Sequence, residues 1–350
     1  MSVAVTQAIV LTPVPGGAGE LLAAIRESNT GIMRDERAPA PDPRGIGMRP
    51  ACTCRAAAAE AAGAGDRIRA LLEAAMASLL AAGAPEPGAR LHLVLPPADT
   101  PRGRAQDPDA LRAHLSAEPA IEDLAPVVEH QQGPVAAHLA AACQALAGGE
   151  ADEIVFGAAD SLLDPDTLAQ LARRGLLETG EGTGVVPGEA AVLLRLRRAG
   201  PHGEAPRLAG LAAGPGAGSG SRGKARHPLA RALHRATGGT GPDAVVHPAG
   251  TRRRYLLDWH QVRNELWPPA PPGDHVGPPA PEPETLELGL AVGETGAAAL
   301  PLGLALACAR LGTEDPAPAR LAVACEWTDE GEHAAVAVAA APAGDRGEPS

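Results

Sequence analysis

The sequence predicts an α/β fold with a largely buried sheet. Short apolar, β-branched runs alternate along the chain with segments of helical period. A small-residue helix followed by an apolar strand occurs once in each half, at 133–156 and 296–325, which hints at internal duplication. The Ala and Gly content of those two helices lets them approach their neighbours closely, as a helix held between two sheets must.

The elements follow in order. VAVTQAIVL at the start, bounded by Pro13 and Gly16-Gly17, reads as a buried first strand. Residues 19–28 read as a short helix, and 33–65, rich in Pro, Arg, Asp, Gly and then Ala, as mostly loop. DRIRALLEAAMASLLAA (66–82) is a helix with Ile68, Leu71, Leu72, Ala75 and Leu79 on one face. LHLVL (91–95) is a strand stopped by Pro96-Pro97, and 107–115 is helical. GPVAAHLAAACQALA (133–147) is a helix with proline near its first turn, ended by Gly148-Gly149. EIVF (153–156) is a strand, 164–174 a helix with Asp164 as cap and Pro165 at its first position, and 189–196 a strand. In the second half, 228–236 reads as helix, 244–247 strand, 258–266 helix, 268–283 proline-rich loop, 296–311 helix, 321–325 strand and 334–340 a last strand.

Length and composition bound the answer. The 350 residues, at roughly 150 per domain, allow two domains or one large domain with two halves. The division expected is an N-terminal half at 1–199, a flexible Gly/Ser-rich connection at 200–226, a C-terminal half at 227–342 and a frayed tail at 343–350. The formal charge of −12 argues against binding nucleic acid through bulk positive charge. Five aromatic residues, Phe156, Tyr255, Trp259, Trp267 and Trp327, give little for stacking bases. No apolar stretch is long enough for a membrane span, and the start lacks the basic n-region of a signal peptide. A cytoplasmic location is the expectation. The cysteines, Cys52, Cys54, Cys143, Cys308 and Cys325, are odd in number and scattered, which fits neither a disulfide framework nor a zinc site.

Some residues point to a family. CQALAGGEADEIVFGAADSLLDP (143–165), then PGEAAVLLRL (187–196), resembles the core of β-ketoacyl synthases of the thiolase superfamily. VVHPAGT (245–251) and GETGAAALPLGLALA (293–307) resemble that family's two histidine motifs. The resemblance implies a five-layered α-β-α-β-α sandwich of two similar halves and a dimer paired next to the nucleophile strand; separately, no cofactor or metal is expected. The family's Claisen condensation takes a cysteine thiolate at a helix N-terminus, where the dipole lowers its pKa, and two polar groups, usually histidines, that stabilise the enolate.

Each position can be carried over. Counting back from Cys143 places Gln132 at the nucleophile position, or Gln131 or Gly133 with a one-residue slip, and none of these can form an acyl thioester. Cys143 itself lies about 16 Å further along the helix, as a core cysteine. His247 keeps the first histidine, followed by an unusual Pro248. Glu294 replaces the second, and a carboxylate there repels a developing enolate unless protonated. Gln at the nucleophile position resembles the chain-length factor, a non-condensing subunit, and the loading-module decarboxylase. The leading expectation is therefore a non-condensing partner or acyl-binding subunit of fatty-acid or polyketide-type metabolism, as homodimer or heterodimer, meeting an acyl carrier protein or acyl thioester. The rivals are a divergent acyltransferase or malonyl decarboxylase using His247 and Glu294, and a stand-alone structural protein.

Other residues read more plainly. Ser161 with His247 suggests a hydrolase, but no G-x-S-x-G elbow surrounds it, so a turn and cap role is expected. Asp329, Glu330 and His333 sit in a predicted hairpin turn, with no metal-ligand spacing. The basic run 222–235 and Arg252-Arg253-Arg254 read as a solvated face, with docking of an acidic carrier protein or a phosphopantetheine phosphate as the functional alternative. Trp259 and Trp267 are expected in core or interface.

Overall fold

The structure is a computed structural model that describes residues 3–42, 47–60, 66–117, 121, 124–180, 183–200, 204–214, 227–268, 281–314, 316–328 and 330–341. The first half contains β1 (Val3–Leu11), α1 (Ala18–Arg26), β2 (Met33–Pro41), β3 (Met48–Thr53), α2 (Arg67–Ala81), β4 (Arg90–Leu95), α3 (Pro101–Arg104), α4 (Pro108–Ser116), β5 (Val127–His130), α5 (Val135–Gly148), β6 (Glu153–Ser161), α6 (Pro165–Arg173) and β7 (Glu189–Arg198). The second contains β8 (Arg207–Gly214), α7 (Pro228–Ala236), β9 (Ala244–His247), α8 (Arg253–Leu266), β10 (Glu284–Glu287), α9 (Leu288–Val292), α10 (Ala299–Leu311), β11 (Leu321–Trp327) and β12 (His333–Ala339).

The hinted duplication is visible in the strand order. One half runs β5-β4-β6-β7-β1 and the other β10-β9-β11-β12-β8. In each, the first two pairings are parallel and the last two antiparallel. The halves join edge to edge through β1 and β8, but only at Val3–Leu208 and Ala4–Arg207.

Side-chain alternation then builds the layers, because successive residues of a strand face opposite ways. Phe156, Ala158, Val192 and Leu194 face a central cluster that also takes Val246, Ala324 and Val336 of the other half. Between the halves lie α5 and α10. The first packs on its own β6 and on β8 of the other half, the second on its own β11 and on β7 of the other half. Val155, Ala159, Ala191 and Leu193 face outward onto Leu71, Leu72 and Leu79 of α2. Val245, Val323 and Ala335 face outward onto Leu229 and Leu233 of α7 and Trp259 of α8. The result is the α-β-α-β-α sandwich of thiolase-like proteins, with each buried Leu contributing roughly 1.5–3 kcal/mol. The small residues of the inner helices have the expected use: a Cβ on Gly303 of α10 would stand 3.2 Å from the Ala324 Cβ.

Several readings are corrected. Residues 33–65 hold the β2–β3 hairpin; Pro39, Pro41 and Pro50 are compatible with it because a two-stranded sheet consists of edges. The stretch read as a flexible connection contains β8, whose Gly- and Ala-rich sequence hides a strand completed by β12. The short strands β5 and β10 also escaped the sequence reading, since neither has a continuous apolar run. The segments 215–226 and 343–350, read as flexible connection and tail, lie outside the described residues. Trp259 and Trp267 pack together at 6.4 Å in the outer core, as expected.

Candidate functional site

The nucleophile position sits where β5 turns into α5. Gln132 is exposed, and its backbone N–H donates to His138 Nε2 at 3.2 Å. The neighbouring Gln131 is fixed by its own N–H to the Leu95 carbonyl. Behind them the N-terminus of α5 presents the unpaired N–H groups that attract negative charge. Those donors are taken from within the protein. Glu326, the penultimate residue of β11, accepts from the Val135 N–H at 2.6 Å and the Ala136 N–H at 3.0 Å. Burial pushes the Glu326 carboxyl up to about 7, although both N–H donors pull it down.

The same device recurs across the pseudo-twofold. Asp160, the penultimate residue of β6, accepts through Oδ2 from the Ala297 N–H at 2.9 Å, in the 3-10 turn that opens α10. Its Oδ1 accepts from Arg102 Nε and from the Ser161 N–H, both at 2.7 Å. Each inner helix is thus capped by a carboxylate from the other half's sheet.

Glu294 lies just before that turn. Its backbone is stitched to 186–188: its N–H donates to the Val186 carbonyl, and its own carbonyl accepts from Gly188. The side chain is 3.6 Å from Arg252 Nη1. His247, the last residue of β9, is fully buried. Its Nδ1 accepts from the Ala249 N–H at 3.2 Å, and its ring lies 4.4 Å from that of Trp259 and 5.6 Å from that of Trp327. Burial drives its pKa down to about 3, so the imidazole is neutral. Its Nε2 has no hydrogen-bond partner, with Glu287 3.9 Å away.

The three chain segments converge. Gln131, Pro248 and Glu294 line one cavity of about 80 Å³, together with Arg102, Glu326 and Glu330. Gln132 and His247 do not line it; His247 turns its ring into the outer core instead. Sequence reasoning placed these segments by motif but missed Glu326, because its partners are 191 and 190 positions away.

Gly296 joins two of these features. It has φ +52°, and a Cβ there would lie 1.9 Å from Asp160 Oδ2. Gly296→Ala is therefore expected to cost on the order of 2–4 kcal/mol, by strain and by loss of the Asp160 cap. Denaturant unfolding measures it; a cost within error of zero would refute this reading of the turn.

The remaining candidates resolve as structure. Ser161 ends β6, and its hydroxyl donates to Glu189 Oε2 at 2.8 Å rather than pairing with His247. Asp164 caps α6 by accepting from the Thr167 N–H at 2.9 Å. In the sequence Glu189 is only the first residue of the predicted strand 189–196 and part of the family-like segment 187–196. It is a buried hub that also binds Arg67 and the Ala56 N–H. All five cysteines are free, and burial pushes Cys143 up to about 11. Glu330 and His333 flank the β11–β12 turn, while Asp329 lies outside the described residues. Of the basic run, residues 222–226 lie outside them too; its last part is α7, whose apolar face packs on β8 and β12. No helix among the described residues is long and apolar enough to cross a membrane.

Layering and strand order define a ketosynthase-like thiolase fold, and solved structures agree. The chain is similar to the ishigamide ketosynthase/chain length factor at 16% identity and a TM-score of 0.67, over 97% of this chain and 99% of that one. It is similar to AntDE:AntF, a type II PKS acyl-carrier protein in complex with its ketosynthase, at 15% identity and a TM-score of 0.69, over 97% and 99%. The ketosynthase from module 6 of the bacillaene synthase of Bacillus subtilis 168 matches at 14% identity and a TM-score of 0.68, over 97% and 72%. Comparisons with protein families and with curated proteins find no match.

Proposed function

We propose that this chain is a non-condensing ketosynthase-like subunit that works as a partner of a cysteine-bearing synthase. The observation that carries this reading is the presence of Gln132 at the nucleophile position together with Glu326 on the Val135 and Ala136 N–H groups. An amide stands where a thiolate has to attack, and a carboxylate occupies the helix N–H groups that would lower a thiolate's pKa. Two further facts support it. The cavity of about 80 Å³ is well below the roughly 300–1,000 Å³ of ordinary ligand sites. Of the residues that line it, Glu294 and Glu330, with Glu326 when ionised, outnumber Arg102 and oppose the negative charge of an enolate or a malonyl group.

The rival reading, an acyltransferase or malonyl decarboxylase using His247 and Glu294, has less support. The His247 ring is buried against Trp259, and its Nδ1 is engaged by the backbone. An acyl carrier protein and a pairing subunit are the partners in this proposal. The free outer edge of β5, which pairs with β4 alone among the described strands, is the place for subunit pairing.

The test is to incubate the protein with acyl- and malonyl-thioesters, then measure intact mass and CO₂ release. No adduct and no CO₂ are expected, together with co-purification with a co-expressed cysteine-bearing synthase subunit. Covalent acylation, or CO₂ release that disappears in His247→Ala, would overturn the proposal.

A further inference from the structure

Two clusters of metal-ligand residue types occur among the described residues, and their hydrogen-bond inventories separate them. In His92–Glu129–His138 the inventory closes. Glu129 Oε1 accepts from His92 Nε2 at 2.7 Å and from His138 Nδ1 at 2.6 Å, which leaves His138 Nε2 to accept from Gln132. Two imidazoles sharing one carboxylate account for that arrangement without an ion.

The second cluster does not close. His227 precedes α7, Asp258 lies in α8 and His333 opens β12. One ligand atom from each lies within 4.8 Å of the others. His227 Nε2 stands 3.7 Å from Asp258 Oδ1, too far for a hydrogen bond, and the two imidazoles meet edge to face at 5.1 Å. His333 is only 4% exposed, and neither ring nitrogen has a hydrogen-bond partner. The Gly331 backbone is near enough to favour the charged ring but makes no hydrogen bond of normal geometry to it. A buried polar side chain left this way calls for an explanation.

We propose that His227, Asp258 and His333 bind one divalent transition-metal ion, with zinc the best match to two imidazoles and a carboxylate. Tetrahedral ligands at about 2.0–2.1 Å from zinc stand roughly 3.4 Å apart, so the His227–Asp258 pair at 3.7 Å needs only a small contraction, while His333, within 4.8 Å of both, closes in by up to about 1.4 Å. Asp258 is partly exposed, which gives an entry path and room for a water in the fourth position.

The surroundings set the terms of binding. Arg231 and Arg254 lie near the histidines and oppose a cation, while Asp258 and Glu265 offset them. In the metal-free ring, Nδ1 of His227 accepts from the Leu229 N–H at 3.2 Å, so the proton sits on Nε2. Metal at Nε2 moves that proton to Nδ1 and gives up this long cap bond. Pro228 at the first helical position leaves one N–H fewer to satisfy. The loaded site would tie α7, α8 and the β11–β12 hairpin together in the outer layer. The ligands are too far apart in sequence to show a metal motif, which is why the spacing of Asp329, Glu330 and His333 gave no sign of one.

The experiment titrates the full chain, stripped with a chelator, with Co²⁺ and then Zn²⁺ near neutral pH. One equivalent of cobalt is expected, with visible absorption of nitrogen and oxygen ligation, no near-ultraviolet thiolate band, and displacement by zinc. His333→Ala and Asp258→Asn are each expected to weaken binding by more than about tenfold, and His92→Ala to leave it unchanged. Asp258→Asn keeps the test valid if His333→Ala fails to fold. The proposal is overturned by absence of saturable binding, by a thiolate band, by undiminished binding in Asp258→Asn, or by loss of binding in His92→Ala.

Discussion

Replacing Glu189 with alanine is expected to cost about 3–5 kcal/mol of folding free energy, the range for removing one partner of a buried ion pair. The Glu189 carboxylate is fully buried at the start of β7. It accepts from Arg67 through Nε at 2.8 Å and Nη2 at 2.5 Å, a two-pronged pair that opens α2. It also accepts from the Ala56 N–H and the Ser161 hydroxyl, each at 2.8 Å. One side chain therefore ties β7, β6, α2 and the segment before α2. Alanine leaves the buried Arg67 guanidinium, a backbone N–H and a hydroxyl without their acceptor. The paired change Glu189→Leu with Arg67→Met removes both charges and is expected to recover most of the loss. Urea midpoints at constant slope measure both. A cost below about 1 kcal/mol for Glu189→Ala would show that the hub does not hold these elements together.

Acidification from pH 6.5 toward 4 is expected to destabilise the fold, and the sign follows from three buried groups. His247 and His333 have folded pKa values depressed to about 3 and about 4, from an ordinary 6.5. Below 6.5 the unfolded chain takes up their protons and the folded one resists, so their contribution is lost as pH falls. Glu326 acts the other way. Its folded value, about 7, lies above the ordinary 4.5, so its contribution is lost as pH rises between the two. Between 4.5 and 6.5 two protons oppose one. For these three groups the net loss is at most about 1.4 kcal/mol per pH unit, it steepens below 4.5, where Glu326 no longer compensates, and His92 and His227, also lowered by burial, add to it. Glu326→Gln removes the opposing term, so the acid loss should steepen by up to about 1.4 kcal/mol per pH unit in that window. Denaturant unfolding in chelator at several pH values reads this out. A slope unchanged by Glu326→Gln would mean that Glu326 is ionised throughout.

The proposed function draws on the same residue. Glu326 at the α5 N-terminus is both the group whose own contribution to stability is lost as pH rises and the group that fills the helix end a nucleophile would need. Asp160 at the α10 turn shows that such a cap also belongs to the architecture of the duplicated halves.

The amino-acid sequence by itself determined the α/β alternation, the two inner small-residue helices, the Asp164-Pro165 helix start, and the segments bearing Gln132, His247 and Glu294. These are legible because period, caps and motifs are local: each is set by residues a few positions apart. Tertiary structure alone decided the rest. Strands β8 and β10 exist through their pairing partners rather than their own apolar pattern. The His247 ring turned away from the cavity because Trp259 and Trp327 bury it. Glu326 met α5, Glu189 met Arg67, and His333 met His227 and Asp258 across long separations. Polar contacts of that kind carry no period and no spacing, since burial in the folded chain is what selects the partners.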